Sequence, residues 1–233
     1  LSTLLAGKTW FGFSLDDTLH DYTNASARAS AAVLDRIATV YNLPITTLEE
    51  TLASARHQNF TDPSKSSTDY RKERFAAILT AHGVTPDVAA LDDLVRTYKN
   101  SRYLHLTPKP GLYSLLRVLK AHNKKVIVIA DGPRGSLEWT LEHLHLLNLV
   151  DVLVSSGEAG MSKEDGLFEV AIKENNIHEG ELVYFGTSWE KDVKAAEAQG
   201  VMGILVEEQA GRGVGKVDGR FRVGSLKDIR NSV

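Results

Sequence analysis

The sequence contains no cysteine, which excludes disulfides and thiolate chemistry and leaves only histidine and oxygen ligands for a metal. It also lacks any apolar run approaching the roughly 20 residues of a membrane span, so no membrane partner is expected. No sign of charge dominates: 27 Lys and Arg against 30 Asp and Glu give a net charge of −3, and no nucleic-acid partner is expected. The opening LSTLLAGKTWFGF has no basic stretch before a long apolar one and does not read as a signal peptide. It carries no initiator Met, so the natural N-terminus is expected to lie elsewhere, and a cytoplasmic location is the expectation. What is present is ordinary globular composition, 42% hydrophobic and 24% charged, enough to build a sizeable core. With 233 residues that means one large domain, or a core with a modest insertion.

Short apolar runs occupy residues 9–15 (TWFGFSL), 125–130 (KVIVIA), 152–154, 181–185 (ELVYF) and 202–206. Bounded runs of this kind, rich in Val and Ile, read as strands buried on both faces of a parallel sheet. Helical patterns separate them at residues 110–122, 136–147, 165–175 and 189–199. The first has Leu112, Leu115, Leu116 and Leu119 on one face, and Gly200 caps the last. Alternating strands and helices predict right-handed crossovers and a doubly wound, Rossmann-like α/β sheet. Ligands of such sheets bind beyond the carboxyl ends of the strands. The loops that fall there are Asp16-Asp17-Thr18, Asp131-Gly132-Pro133, Ser155-Ser156-Gly157 and Gly186-Thr187-Ser188.

Residues 22–105 behave differently. They show amphipathic segments at 25–41, 46–56, 70–82 and 87–103 and no convincing strand, which predicts a helical subdomain inserted into a core of residues 1–21 and 106–233. Residues 62–68 (DPSKSST) read as its loop. The glycine-rich stretch 211–219 opens no visible helix, so it reads as a surface turn rather than a phosphate cradle.

The strand-end loops, taken in order, resemble the four motifs of the haloacid dehalogenase (HAD) superfamily. The first is matched by Phe13-Ser14-Leu15-Asp16-Asp17-Thr18, the second by the strand ending in Ala130, the third by Lys163, and the fourth by Gly186-Thr187-Ser188 with Asp192. The inserted helices match the family's C1 cap, which reads the substrate in the space between core and cap. In a HAD phosphatase, the first aspartate of motif one attacks phosphorus and the aspartate two residues on acts as general acid and base. Mg²⁺ is held by the first aspartate, a backbone carbonyl and a motif-four acid.

This sequence departs from that pattern at three positions: Ser14 replaces the nucleophile, Ala130 the phosphate-binding hydroxyl, and Thr187 a metal carboxylate. Asp16, Lys163 and Asp192 remain. Losing two carboxylates where Mg²⁺ would sit is charge-balanced, so no cofactor is expected; Mg²⁺ returns only if the site is less degraded than it reads. Asp16 and Lys163 are the candidate catalytic residues, with Lys163 as counter-ion to Asp16 and Asp192. Ser14, His20, Asp131, Thr187, Asp192 and, from the cap, Arg71 are the candidate substrate-binding residues. Asp17 and Thr18 are expected to fix the loop through side-chain bonds to backbone. His57, Tyr70 and Arg74 are weaker cap candidates, and the eight histidines show no metal spacing. A repurposed, metal-independent small-molecule enzyme (a dehydration, isomerisation or cyclisation), a non-catalytic pseudo-phosphatase and an atypical phosphatase are the readings that stand. Oligomeric state is not legible.

Overall fold

A computed structural model describes residues 1–54, 61–208, 213–217 and 219–233. Strands β1 (Trp10–Phe13), β2 (Lys125–Ala130), β3 (Val152–Ser155), β4 (Leu182–Gly186) and β5 (Met202–Val206) run parallel in the order β3-β2-β1-β4-β5. Each coincides with an apolar run read in the sequence. β1 is central because it is buried on both sides: Phe11 pairs in register with Val126 of β2 and Val183 of β4. The Phe185 ring stacks on Phe13 and Phe11 with centroids 5.3 and 6.3 Å apart, and all three are fully buried. A Cβ on Gly12 would lie 2.7 Å from Tyr184 Cδ2, so only glycine lets the Tyr184 ring lie against β1.

Helices α6 (Leu112–Ala121), α7 (Arg134–His143) and α9 (Phe168–Glu174) follow β1, β2 and β3 as the crossovers, with α8 (Ser156–Ala159) just after β3 and α10 (Ala195–Glu197) between β4 and β5. α6 buries the four leucines of its predicted stripe. Short helices α1 (Ser2–Ala6) and α11 (Leu226–Arg230) lie at the two ends of the chain. Phe168 meets Tyr184 edge-on at 4.7 Å and, with Ile127, Ile129, Leu167 and Leu182, closes the core on one face of the sheet. Among the described residues no helix is long and apolar enough to cross a membrane.

Three features differ from the sequence reading. The glycine-rich stretch is not a plain surface turn: in its described part β6 (Val214–Val217) pairs antiparallel with β7 (Arg220–Val223), and β7 extends the sheet alongside β5. Both strands are only four residues long and β6 has a glycine inside, which leaves too short an apolar period to read. Residues 211, 212 and 218 lie outside the described residues. The helices expected at 165–175 and 189–199 open earlier or differently, as π-helical turns at Lys163–Leu167 and Trp189–Lys194. Gly166, at φ 122, makes the first of these turns possible. The helix expected at 136–147 starts at Arg134 and ends at His143, because His145 turns into the left-handed region at φ 55.

Contacts divide the chain into two units, each with its own core. The sheet and its helices form one, from residues 1–21 and 108–233 with 61–63. The other, within residues 22–107, is built from α2 (Tyr22–Tyr41), α3 (Ile45–Ser54), α4 (Ser67–Ala81) and α5 (Val88–Leu104). It packs Val33, Ile37, Leu48, Phe75, Ile78, Leu94 and Tyr98 together. Its helices start where side chains satisfy free backbone N–H groups. Ser66 and Asp69 form a reciprocal capping box on α4, and Asp87 accepts from Ala90 N at 2.7 Å on α5.

The central aromatic stack provides a stability test. Phe185→Ala should lower unfolding stability by about 3–5 kcal/mol in urea titration, because the ring is enclosed on all sides and the cavity cannot collapse between paired strands. A loss below about 1 kcal/mol contradicts that packing.

Candidate functional site

At the carboxyl end of β1 the chain leaves the sheet through Ser14, whose N–H donates to Phe185 O at 2.9 Å and prolongs the β1–β4 pairing by one residue. The next residues form a tight loop. Asp17 takes φ 58, Leu19 N bonds Leu15 O at 2.9 Å, and Asp16 and His20 form a backbone bridge. Thr18 is buried, yet its hydroxyl has no hydrogen-bond partner among the described residues. The expected side-chain clamp from Thr18 is therefore corrected; the backbone bonds hold the loop instead. Lys109 N, donating to Leu19 O at 2.9 Å, anchors its far side.

Two clusters of the expected residues form within this unit. In the first, the ring of His20, completely buried, lies 2.9 Å through Nε2 from Asp16 Oδ1. His20 was expected to touch substrate; its burial makes it a partner of Asp16 instead. In the second, Lys163 is 6% exposed, and its Nζ donates to Asp192 Oδ1 at 2.5 Å and to Ser14 Oγ at 3.2 Å. Asp131 Oδ2 lies 3.7 Å from the same ammonium, and Asp131 Oδ1 accepts from Lys163 N at 3.1 Å. Lys163 is thus counter-ion to Asp192 and Asp131, and the expected pairing with Asp16 is corrected. The ammonium is held where β1, β2 and β4 end, and the carboxylates of the β2 and β4 ends meet it there.

Asp192 is buried, and both its oxygens are engaged: Oδ1 by Lys163 and Oδ2 by Ser188 N at 2.8 Å. The π-helical turn Trp189–Lys194 carries it back over the end of β4. A Cβ on Gly186 would fall 2.3–2.4 Å from the Asp192 carboxylate, so the glycine of motif four leaves the space that Asp192 occupies. Thr187, in contrast, is exposed and makes no hydrogen bond among the described residues. Arg71 belongs to the helical unit and is treated with it below. Tyr70 of the same unit is buried, Arg74 is partly exposed, and His57 lies outside the described residues.

Sequence reasoning missed two elements of the site. Tyr184 is fully buried beneath it, and its hydroxyl donates to Ile129 O at 2.6 Å. Burial, then the negative charge of Asp192, push the Tyr184 phenol well above its ordinary range, so it stays protonated. An interior strand position inside ELVYF gives no sign of this, because Tyr there reads as core. The second element is a serine clamp on the loop after β2. Ser155 Oγ donates to Gly132 O at 2.7 Å, and Gly132 N donates to Ser156 Oγ at 2.8 Å. The paired serines at the end of β3 were visible as a strand-end loop, but their partner was not.

Among the described residues, no three His, Asp or Glu side chains converge in the manner of a metal site. The buried Lys163–Asp192 pair makes a quantitative prediction. Lys163→Met strands a buried carboxylate and should cost about 3–5 kcal/mol in denaturant titration, whereas Lys163→Met/Asp192→Leu should recover most of that loss. Equal losses in the single and double variants contradict the pairing.

Residues 13–206 match the model of the family described as haloacid dehalogenase-like hydrolase. The glyceraldehyde 3-phosphate phosphatase of Methanocaldococcus jannaschii is 24% identical over 195 residues, 83% of this chain and 82% of that protein. The fold is that of the 2-haloacid dehalogenase from Pseudomonas syringae pv. Tomato DC3000, with TM-score 0.72, 19% identity and 97% of each chain covered. The HAD phosphatase from Thermococcus onnurineus shares it too, with TM-score 0.68, 19% identity and 96% of each chain covered. With the motif loops at the ends of the same parallel strands, the chain belongs to the haloacid dehalogenase-like hydrolase family.

Proposed function

We propose that this family member is a metal-independent enzyme of a small molecule, in which Asp16 is the general acid and base. The observation that carries the reading is how the strand-end carboxylates are used. Asp192 and Asp131 face the Lys163 ammonium, with side chains 3% and 30% exposed. Asp16 keeps one oxygen on His20 and is 36% exposed, the most accessible of the three. A general base must reach the proton it removes, and Asp16 is the most accessible of the three, is oriented by His20 and is not held by the Lys163 ammonium.

The donors present do not fit Mg²⁺, the ion the family's chemistry implies. That ion asks for near-octahedral oxygen coordination with carboxylate among its ligands. Here Ser14 stands at one ligand position and the exposed Thr187 at another, and the Lys163 ammonium already neutralises Asp192. No step in the proposed reaction therefore runs through a metal. Nor is Ser14 equipped as a nucleophile. Its oxygen accepts from Lys163 at 3.2 Å, and among the described residues no carboxylate or imidazole is hydrogen-bonded to it, so no base receives its proton.

In the proposed chemistry Asp16 takes a proton from the substrate and returns it at a second position, as a dehydration, isomerisation or cyclisation requires. His20, with Nε2 at 2.9 Å, fixes the carboxylate's rotamer and donates to its charged form, so it is a positioning residue. A second reading, an atypical phosphatase, is favoured by the M. jannaschii relative, which is named for phosphatase activity. It lacks an activated nucleophile in this chain.

Deuterium incorporation from D₂O into a pooled library of unphosphorylated small molecules, followed by mass spectrometry, tests the reading. Wild-type protein in EDTA should catalyse exchange, and Asp16→Asn should reduce it about 10²–10⁴-fold. Exchange that survives Asp16→Asn would overturn the role of Asp16, absence of exchange by wild type favours the non-catalytic reading, and Mg²⁺-dependent hydrolysis of p-nitrophenyl phosphate favours the phosphatase reading.

A further inference from the structure

In the helical unit Arg71 and Lys99 reach adjacent hydroxyls of α4, those of Ser67 and Thr68. Arg71 on α4 lies over the Tyr98 ring of α5, with its guanidinium carbon 4.9 Å from the centroid, and its Nη1 donates to Ser67 Oγ at 2.9 Å. Neither partner carries charge. Lys99, the next residue after Tyr98, reaches back to α4 and donates to Thr68 Oγ1 at 2.9 Å. Arg102, one turn further along α5 and 5% exposed, lies over the Tyr22 ring at 5.6 Å. On α2, Ser26 Oγ is 3.1 Å from Tyr98 OH and completes a rim of hydroxyls.

These cations feel one another. Burial, reinforced by the charge of Arg102 and opposed by Tyr98 and Tyr22, holds the Arg71 guanidinium below its ordinary pKa. Lys99 is lowered too, by burial first and then by the charges of Arg71 and Lys72. Four acids of the unit are committed elsewhere. Asp92 pairs with Lys72 at 2.6 Å, Glu73 with Lys65 at 2.6 Å, Asp93 with Arg36 and Arg96, and Asp69 caps α4 through Ser66. Among the described residues neither Arg71 nor Lys99 has a carboxylate within 4.0 Å. Covered charges in proteins are normally paired, and a half-buried guanidinium beside like charges costs stability unless something neutralises it.

We propose that Arg71 and Lys99 form a binding site for an oxyanion, a phosphate or carboxylate group carried by a small molecule. The guanidinium fork suits two oxygens of such a group at once, the ammonium adds a point charge, and the Ser67 and Thr68 hydroxyls orient both. Tyr98 holds the Arg71 guanidinium plane so that little rotamer entropy is lost on binding. This site does not depend on the role of Asp16, so the two proposals fail separately.

The test is calorimetric titration of the whole chain with inorganic phosphate and, in a separate arm, with acetate, at constant ionic strength in chloride. Saturable binding is expected, weakened about tenfold or more by Arg71→Gln and by Lys99→Gln. It should persist in Lys163→Met/Asp192→Leu, which excludes an anion held at the sheet ends. Binding of phosphate alone identifies a phosphoryl ligand, and of acetate alone a carboxylate. In anion-free buffer Arg71→Gln should melt no lower than wild type, because it removes a charge that its neighbours repel; a purely structural arginine would lower the melting temperature. Lys99 is exposed, so its variant keeps the fold and the test stands even if Arg71→Gln does not fold. Absence of saturable binding of both anions by wild type, or undiminished binding by both variants, overturns the proposal, as does loss of binding in the Lys163/Asp192 variant.

Discussion

The Lys163 ammonium, buried against Asp192 Oδ1 and Ser14 Oγ, is the contact on which the rest of the site depends. A buried carboxylate alone is costly, and Asp192 is buried because the π-helical turn folds it over Gly186. The lysine must therefore reach it from the turn after β3, which fixes the Lys163–Leu167 turn and, through Lys163 N, the Asp131 carboxylate at the end of β2. Four loops from separate strands are tied by this one cation. Asp16, outside the tie, is left with its histidine and with solvent. A division of labour follows from charge alone: the sheet ends are neutralised internally, and one carboxylate stays accessible.

Much of this was legible in the chain. The five parallel strands announce themselves because each is buried on both faces and reads as an unbroken apolar run, as with KVIVIA. Ser14, Lys163, Asp131 and Asp192 were found because each sits at or just beyond a strand end, where this topology places ligands. What escaped depends on side-chain direction rather than position. Tyr184 is one more apolar letter in its strand until its hydroxyl is seen donating to Ile129 O. His20 reads as a pocket residue, although a spacing of four residues in a tight loop turns it onto Asp16. The β6–β7 hairpin escaped because glycine and short length erase alternation, and the π-helical turns because a register change leaves the apolar spacing nearly intact.

The two units treat charge in opposite ways. In the sheet unit the buried Lys163 and Asp192 face each other as an ion pair, which favours a permanent, rigid arrangement. In the helical unit Arg71 has a hydroxyl and an aromatic face where an ion pair would be expected. Such a site trades stability for readiness to accept charge, the usual compromise at functional positions.

The central claim is that an internal ammonium has taken over the place of a divalent cation at the strand ends. Titration of Mg²⁺ into the whole chain, followed by calorimetry and by the ammonium signal of Lys163 in nitrogen-15 NMR, tests it most directly. The account predicts no saturable heat at millimolar Mg²⁺ and an unmoved Lys163 signal. Micromolar binding that displaces Lys163 from Asp192 would contradict it.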